Sequence, residues 1–126
     1  WNQQAGTDLQ KDNTSTCMIN IGVFDKSNNY TALGDYDVKE KNNGRATVFS
    51  IRIHADNIIK YCQDHSLTAA QRQVVFRNVI AHELGHALGL DDDPNGAPSI
   101  MKQSDRWRSY LPEEADVYGV RAYFGY

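Results

Sequence analysis

In two stretches of the chain, apolar residues recur at every second position. This period is typical of strands with one face in a core. In the first stretch, Cys17 to Phe24, the side chains on one face are Cys17, Ile19, Ile21 and Val23. In the second stretch, Arg45 to His54, one face holds Thr47, Phe49, Ile51 and Ile53, and the opposite face is mostly polar. We predict a strand in each stretch. Because of its polar face, we expect the second strand to lie at the edge of the sheet.

Turn-forming residues dominate the segments around these strands. The first 16 residues are mostly polar, and residues 25–43 are rich in Asn, Asp, Tyr and Gly. Such compositions favour turns and loops. We therefore predict an irregular amino-terminal segment and a long irregular excursion between the two strands, of a kind that often carries function.

A longer period, of three to four residues, begins at Thr68. The sequence from Thr68 to Gln71 fits a capping box, in which each of these two side chains bonds to the backbone of the other residue. Apolar residues then recur on one face, and Gly89 suits the left-handed end of a helix. We predict a helix of about 20 residues, or about 30 Å. Its apolar positions are Val75, Phe76, Val79, Ile80, Leu84, Ala87 and Leu88.

A second helix is predicted near the carboxyl end. Pro112 suits its first position, acidic residues follow where the helix dipole favours them, and Gly125 suits its end. Residues 89–111 contain Gly and Pro without a sustained period and are predicted to be loop. The apolar stripe of this helix is Val117, Val120 and Phe124.

The length and charge of the chain limit the number of domains it can form and the kinds of partner it can bind. A length of 126 residues fits one core, so we expect a single domain over residues 1–126. The formal charge is -3 and neither sign forms a block, which argues against a surface for nucleic acid or anionic lipid. Apolar runs are far shorter than the roughly 20 residues needed to cross a bilayer. We therefore expect neither nucleic-acid nor membrane partners.

The two cysteines, Cys17 and Cys62, leave two interpretations open. They form no CxxC arrangement and lie away from any metal-type cluster, which argues against zinc binding by thiolates. A disulfide between them would suit an oxidising compartment. Two reduced, buried cysteines would instead act as small apolar side chains.

Candidate chemistry is concentrated in the predicted helix, in the HExxH sequence from His82 to His86. At about 100° per residue the two histidines are one turn apart and about 40° apart around the axis, so both can bind one metal ion. Glu83 lies about 60° from His86 on the same side, where a general base would stand. Chance would produce this motif in a chain of this composition with odds of about 0.4%, which favours a functional interpretation.

Other interpretations of these residues are weaker. A buried helix could carry the two histidines and the glutamate as groups that satisfy one another, but each unpaired buried polar group costs about 1–3 kcal/mol. Residues 91–96 match the opening of an EF-hand calcium loop, yet the twelfth position, which needs a carboxylate, is Lys102. His54 and His65 are isolated, and we interpret both as surface histidines.

The segment from His82 to Asp92 resembles the extended HExxHxxGxxH/D signature of the metzincin zinc peptidases, and within them the matrixin-like branch. The resemblance covers about Thr47 to Tyr126 well and the first strand more weakly. It implies an α+β fold with a small twisted mixed sheet, a central active-site helix, a Met-turn and a carboxyl-terminal helix. It also implies a zinc-dependent endopeptidase with one catalytic Zn²⁺.

The resemblance further implies a role for each motif residue. In the family the glycine lets the chain turn so that a third ligand, three residues later, returns to the metal; here these positions are Gly89 and Asp92. His82, His86 and Asp92 would then bind zinc, and Glu83 would be the general base. Most matrixins have histidine at the third position, and the aspartate form resembles the snapalysin type of small bacterial peptidase.

Two positions beyond the motif match the family and one departs from it. Met101, nine residues after Asp92, matches the Met-turn methionine that forms an apolar floor under the metal. The alternative interpretation is that Met101 is an ordinary core residue that fills a gap in the packing. Asp116 matches a family acid that supports the Met-turn region by hydrogen bonds. Relatives that place a tyrosine two residues after the methionine use it in catalysis, but here that residue is Gln103.

By the same resemblance, an extended protein or peptide substrate would lie along the second strand near Ser50, Ile51 and Arg52. Trp107 and Tyr110, in the segment after the methionine, would form a wall of the primed-side specificity pocket. We expect a secreted monomer whose signal peptide lies outside these residues.

Matrixin domains usually open with a strand and a long helix, and Trp1 resembles the end of that helix, which indicates a fragment or a processed form. Residues 25–44 also contain no recognisable counterpart of the structural zinc and calcium loops of vertebrate matrixins. Two other functions stay open: a zinc-binding module of this fold without proteolytic activity, and a plain structural domain. The presence of Glu83 favours an enzyme over the zinc-binding module only in part. A binding site needs metal ligands but no general base, so Glu83 would have no chemical role in such a module.

Overall fold

The computed structural model describes residues 1–7, 18–23, 31–93 and 98–125. These residues form a small mixed sheet accompanied by helices, which is the predicted α+β architecture. None of the described helices is both long enough and apolar enough to span a membrane. In chain order the elements are α1 (Asn2–Ala5), β1 (Met18–Gly22), β2 (Gly34–Asn42), β3 (Arg45–His54), α2 (Ala55–Asp64), α3 (Ala69–Ala87) and α4 (Glu114–Phe124).

The three described strands follow the order β1-β3-β2, with β1 parallel and β2 antiparallel to β3. The edge position predicted for the second strand is therefore wrong, because β3 pairs on both sides. Its polar face is explained by a cross-strand partner: Arg52 lies opposite Asp35 of β2, and Arg52 Nε donates to Asp35 Oδ1 over 2.9 Å. Such pairs stabilise polar positions on a sheet face.

β2 occupies part of the segment predicted as an irregular excursion, and that prediction is wrong for residues 34–42. Apolar residues alternate in it only at Tyr36 and Val38, and no residue of the strand is fully buried. Pairing with β3 therefore orders this strand more than burial of an apolar face does. A tight turn joins the two strands, with positive φ angles of 50° at Asn43 and 78° at Gly44.

β1 confirms the first predicted strand, but its side chains are not distributed as expected. Ile19 is 45% exposed and Ile21 is 58% exposed, although both were predicted to face the core. Cys17 and Phe24 lie outside the described residues, so a disulfide between Cys17 and Cys62 stays a prediction. Cys62 itself is buried.

The main core lies between β3 and the helices α2 and α3. α2 occupies a segment to which the sequence pattern assigned no element, and it buries Ile58 and Cys62, which are one turn apart. α3 presents Val75 and Val79 to the same core. The buried residues of this core are Ile51, Ile53, Ile58, Cys62, Leu67, Val75 and Val79.

The predicted helix ends are largely confirmed. The backbone N–H of Gln71 donates to Thr68 Oγ1 (3.3 Å), and the backbone N–H of Thr68 donates to Gln71 Oε1 (2.9 Å), which completes the capping box of α3. α4 ends before Gly125 as predicted. It starts two residues after Pro112 because Asp116 accepts a hydrogen bond from the backbone N–H of Glu113, the cap residue (2.8 Å).

The turn after α3 packs against α4. Gly89 has φ +92°, and a Cβ built on it would lie 2.6 Å from a ring carbon of Tyr123, so both conformation and space require glycine. The Tyr123 hydroxyl donates to the carbonyl oxygen of Gly44, at the tip of the β2–β3 hairpin, over 2.9 Å. Tyr123 thereby links the turn to the hairpin.

Candidate metal centre

Two imidazoles on consecutive turns of α3 are each fixed by a backbone carbonyl. Nδ1 of His82 lies 3.0 Å from the carbonyl oxygen of Ile100, and Nδ1 of His86 lies 2.8 Å from that of Leu90. Because a carbonyl oxygen only accepts, these contacts favour a proton on each Nδ1 and leave each Nε2 with a free lone pair. The helix thus presents two nitrogen donors on one side.

Asp92 brings an oxygen donor to the same place. Its Oδ1 lies 3.1 Å from His82 Nε2 and 3.4 Å from His86 Nε2. Within the described ranges, these three residues form the group able to hold a metal ion, with donor atoms all within 4.8 Å of one another. Of the neighbouring aspartates, Asp93 bonds through its backbone N–H to the carbonyl oxygen of Met101 (3.2 Å), and Asp91 lines a separate cavity.

This donor set fits zinc. Two imidazole nitrogens and one carboxylate oxygen form a set that Zn²⁺ accepts in catalytic sites, where three protein ligands leave a further position open. The carbonyl partners of His82 and His86 also supply the outer-sphere hydrogen bonds that orient such ligands.

A cleft of about 600 Å³ opens beside the three donors. Its walls come from β2 and the residues just before it, from α2, and from the segment after Met101. The lining residues are Thr31, Ala32, Leu33, Gly34, Asp35, Tyr36, Tyr61, His82, Glu83, His86, Asp92, Gln103 and Arg106. The histidines and both acidic motif residues therefore face a space large enough for part of a peptide.

Burial shifts the protonation of two motif residues. Glu83 is only 5% exposed, and burial raises the pKa of its carboxyl group to about 7. Burial also lowers the pKa of His82 to about 4, with a further contribution from the positive charge of Arg106. In this cleft His82 therefore favours its neutral, metal-binding form, and Glu83 is a stronger base than an exposed glutamate.

β2 contributes directly to the cleft. The ring of Tyr36 stacks on that of His86, with centroids 4.8 Å apart and planes 12° apart. Gly34 leaves room for Glu83: a Cβ on residue 34 would lie 2.8 Å from Glu83 Oε1 and 2.9 Å from a methyl carbon of Val79. This strand thus borders both a metal-ligand candidate and the candidate base.

The segment with Met101 packs beneath the helix. Met101 is buried, and its Sδ lies 2.5 Å from the position that a Cβ on Gly85 would take. Asp116 Oδ1 accepts from the Ser99 hydroxyl (2.5 Å), and Asp116 Oδ2 accepts from the backbone N–H of Ile100 (2.8 Å). The hydrogen-bond support predicted for Asp116 is confirmed.

The substrate-binding residues predicted on β3 do not line the cleft. Ile51 is fully buried in the core, and the backbones of Ser50 and Arg52 pair with strands on both sides. A peptide cannot add to β3 as a further strand, because its hydrogen-bonding groups are already used. The strand that borders the cleft is β2, so the predicted placement of substrate along β3 is wrong.

The two aromatic residues predicted to wall the pocket also lie elsewhere. The Trp107 ring packs near the rings of Tyr61 and His65, at centroid distances of 6.2 and 5.1 Å. The Tyr110 ring lies beneath the guanidinium of Arg77, 5.1 Å from its central carbon. Both predictions came from the family resemblance of this segment, which does not determine which of its side chains turn inward.

Sequence reasoning also misjudged His54. This residue was interpreted as a surface histidine, but it is 2% exposed and its Nε2 lies 2.7 Å from Asp35 Oδ2. His65 is exposed, as predicted. The pairing of residues 35 and 54 depends on the register of β2 with β3, and no local signal predicts that register.

Arg106 is a further residue that the sequence did not single out. Its side chain is 6% exposed, it lines the cleft, and its Nη1 donates to Asn78 Oδ1 over 3.1 Å. Burial lowers the pKa of its guanidinium. Arg108, two residues along, is largely exposed, so sequence alone cannot distinguish the two arginines.

Comparisons with known proteins extend over nearly the whole chain. The sequence profile of the Matrixin family matches residues 1–125. Matrix metalloproteinase-A of Caenorhabditis elegans is 24% identical over 131 aligned residues, which cover 99% of this chain and 23% of that protein. The chain therefore spans less than a quarter of the length of this curated relative. No solved structure gives a significant match.

Proposed function

We propose that this chain, which belongs to the matrixin family, is the catalytic domain of a zinc-dependent endopeptidase. The observation that carries the proposal is the convergence of three donor atoms, His82 Nε2, His86 Nε2 and Asp92 Oδ1, beside the buried carboxyl group of Glu83 in one cleft. A helix with a purely structural role would not need two histidines whose Nε2 atoms both face a cavity and share one carboxylate oxygen.

His82, His86 and Asp92 would hold the zinc ion. When bound, zinc would supply Lewis-acid chemistry, by polarising the scissile carbonyl group and lowering the pKa of a water molecule toward about 7. Ile100 and Leu90 would keep both imidazoles in the tautomer that binds metal, through the carbonyl contacts described above.

Glu83 would move the proton. Its carboxylate would accept a proton from the attacking water as the water oxygen bonds to the carbonyl carbon, and would return it to the leaving nitrogen as the carbon–nitrogen bond breaks. Burial raises the pKa of Glu83 in the metal-free cleft, which favours its role as a base. Met101 would form an apolar floor under the part of α3 that carries His82 and His86.

An extended protein or peptide substrate would lie along β2, whose outer edge is unpaired among the described strands. Added as a further strand, the substrate backbone would cross the cleft beside Tyr36 and Glu83. Tyr61, Gln103 and Arg106 would wall the primed-side pocket, in place of Trp107 and Tyr110. We further propose a single domain that acts as a monomer. We also propose that it acts outside the cell, a location that membership of the matrixin family favours.

A cleavage assay with matched metal analysis tests the proposal. The purified protein should bind one zinc ion per chain and hydrolyse a quenched-fluorescence peptide library. A zinc chelator should abolish hydrolysis, added zinc should restore it, and an inhibitor of serine peptidases should have no effect. Zinc binding without hydrolysis of any peptide would favour the non-proteolytic module instead. A protein that binds no zinc would overturn both interpretations.

A further inference from the structure

The Arg106 guanidinium is buried without a countercharge in contact. Its side chain is 6% exposed, and among the described residues no carboxylate lies within salt-bridge distance of it. Of its nitrogens, Nη1 donates to Asn78, whereas Nε is buried and has no hydrogen-bond partner in the described part of the chain. A buried charged group is normally paired with an opposite charge. Where the protein supplies only a neutral partner, the charged group normally serves to bind a ligand.

The guanidinium is held in a fixed orientation. Asn78 is 6% exposed and accepts from Arg106 Nη1 over 3.1 Å, while its own side-chain nitrogen donates to the carbonyl oxygen of Ser109 over 2.7 Å. The Asn78 side chain and the Ser109 carbonyl group that holds it are both uncharged, so they orient the guanidinium without neutralising its charge. An oriented guanidinium with unused donors matches the planar geometry of a carboxylate.

Tyr61 provides a second polar group on the same wall. Its hydroxyl oxygen accepts from the backbone N–H of Arg106 over 3.4 Å, and this contact leaves the hydroxyl proton available for donation. Tyr61 and Arg106 line the cleft together with Gln103, which carries an amide N–H₂ group. This wall therefore offers several donors around one positive charge.

The carboxylates already in the cleft have other roles. The Asp92 carboxylate contacts the Nε2 atoms of both histidines, and Glu83 is the candidate base. Asp35 pairs with Arg52 and His54. With a divalent metal on its ligands, the cleft would carry excess positive charge near Arg106. An anionic group brought by the substrate would balance that charge.

We propose that Arg106 binds the carboxylate of an acidic side chain, aspartate or glutamate, at the substrate residue that follows the scissile bond. The inference rests on the proposed peptidase function and adds the class of residue that the cleft prefers. It assigns the acidic side chain to the pocket walled by Tyr61, Gln103 and Arg106, which the proposed function puts on the primed side.

A pair of substrates tests this inference without altering the protein. Two peptides would differ only by glutamate or glutamine after a scissile bond mapped with a peptide library. We expect the glutamate peptide to be cleaved with a kcat/KM at least about tenfold higher, because only the carboxylate carries a charge opposite to that of the guanidinium and offers two acceptor oxygens to it. Arg106→Gln should remove this preference, and Arg106→Lys should keep part of it. Arg108→Gln, on an exposed arginine outside the cleft, should leave it unchanged.

A binding measurement separates this inference from the proposed function. The affinity of the same two peptides for zinc-loaded Glu83→Gln protein, followed by fluorescence anisotropy, should show the same preference, and Arg106→Gln in that background should abolish it. If the wild-type protein cleaves both peptides equally and both bind equally, the inference is overturned while the peptidase function stands. If neither peptide is cleaved but the glutamate peptide binds more tightly through Arg106, the peptidase function fails and the carboxylate site stands.

Discussion

The carboxyl group of Glu83 occupies the space beside Gly34 that a larger residue would fill. A Cβ on residue 34 would lie 2.8 Å from Glu83 Oε1 and 2.9 Å from Glu83 Cγ, closer than side-chain atoms normally approach. Glu83 is also 5% exposed, so it has little freedom to move aside. The position of the candidate base on α3 therefore depends on a glycine in a strand 49 positions earlier in the sequence.

Gly34→Ala should displace Glu83 and lower kcat/KM by about tenfold or more, because small misplacements of a reacting group are costly. Zinc content should stay at the wild-type level, since the atoms nearest to the new methyl group belong to Glu83 and Val79 and to none of the three donors. The control is Gly44→Ala on the same hairpin. Gly44 has open space around a Cβ and φ +78°, so this change should lower stability but not the activity of the folded protein. An unchanged kcat/KM in Gly34→Ala would contradict the positioning role of Gly34.

Glu83→Gln should lower kcat by at least about a hundredfold while zinc stays bound, because the change removes the base and leaves the ligands in place. The measurement is the peptide assay together with metal analysis of the purified variant. Glu114→Gln, an exposed acid in the first turn of α4, is the matched control and should behave as wild type. Loss of zinc from Glu83→Gln would instead make Glu83 a ligand or a support of the ligands.

Asp92→Ala should weaken zinc binding by about a hundredfold or more, because it removes one of three donors. Asp91→Ala and Asp93→Ala serve as matched controls and should bind zinc far more tightly than Asp92→Ala does. Competition with a chromogenic chelator measures all three affinities under one condition. Zinc retention by Asp92→Ala, with loss of zinc in either neighbour, would show that the third ligand is assigned to the wrong aspartate.

Gly85→Ala should destabilise the fold by about 1–3 kcal/mol, because the new methyl group overlaps Met101 Sδ at 2.5 Å. Alanine has the higher helix propensity, worth about 1 kcal/mol, so a net loss would show that the packing contact outweighs propensity. Urea denaturation measures the change in unfolding free energy. In a double-mutant cycle, the alanine at residue 85 should cost less in a Met101→Ala background. Equal costs in both backgrounds would mean that the two residues do not interact.

The parts of the structure that sequence predicted well depend on neighbours along the chain. The capping box of Thr68 and Gln71 spans one helical turn, and the histidine pair lies on consecutive turns of the same helix. Gly89 and Gly125 have the positive φ angles expected after helix ends. Such features can be predicted because the interacting groups are only a few residues apart.

The parts that sequence missed depend on partners far along the chain. β2 has a mostly polar sequence, and its order comes from pairing with β3, which also sets Asp35 against His54. The burial of Arg106 depends on Asn78, 28 positions earlier. Local patterns contain no information on these pairings, because an edge strand or a buried arginine looks like an exposed segment until its partner is known.

Tyr123 has a consequence for the order in which the cleft is completed. This residue contacts the turn at Gly89 and donates to Gly44, and both contacts join it to segments that precede it in the chain. Since a protein is synthesised from its amino end, the hairpin and the histidine helix leave the ribosome before the residue that connects them. The cleft therefore acquires this contact only after the histidine helix has been synthesised, so a nascent chain stalled before residue 123 would carry the three candidate metal donors but lack the contact that joins β2 to the end of the helix.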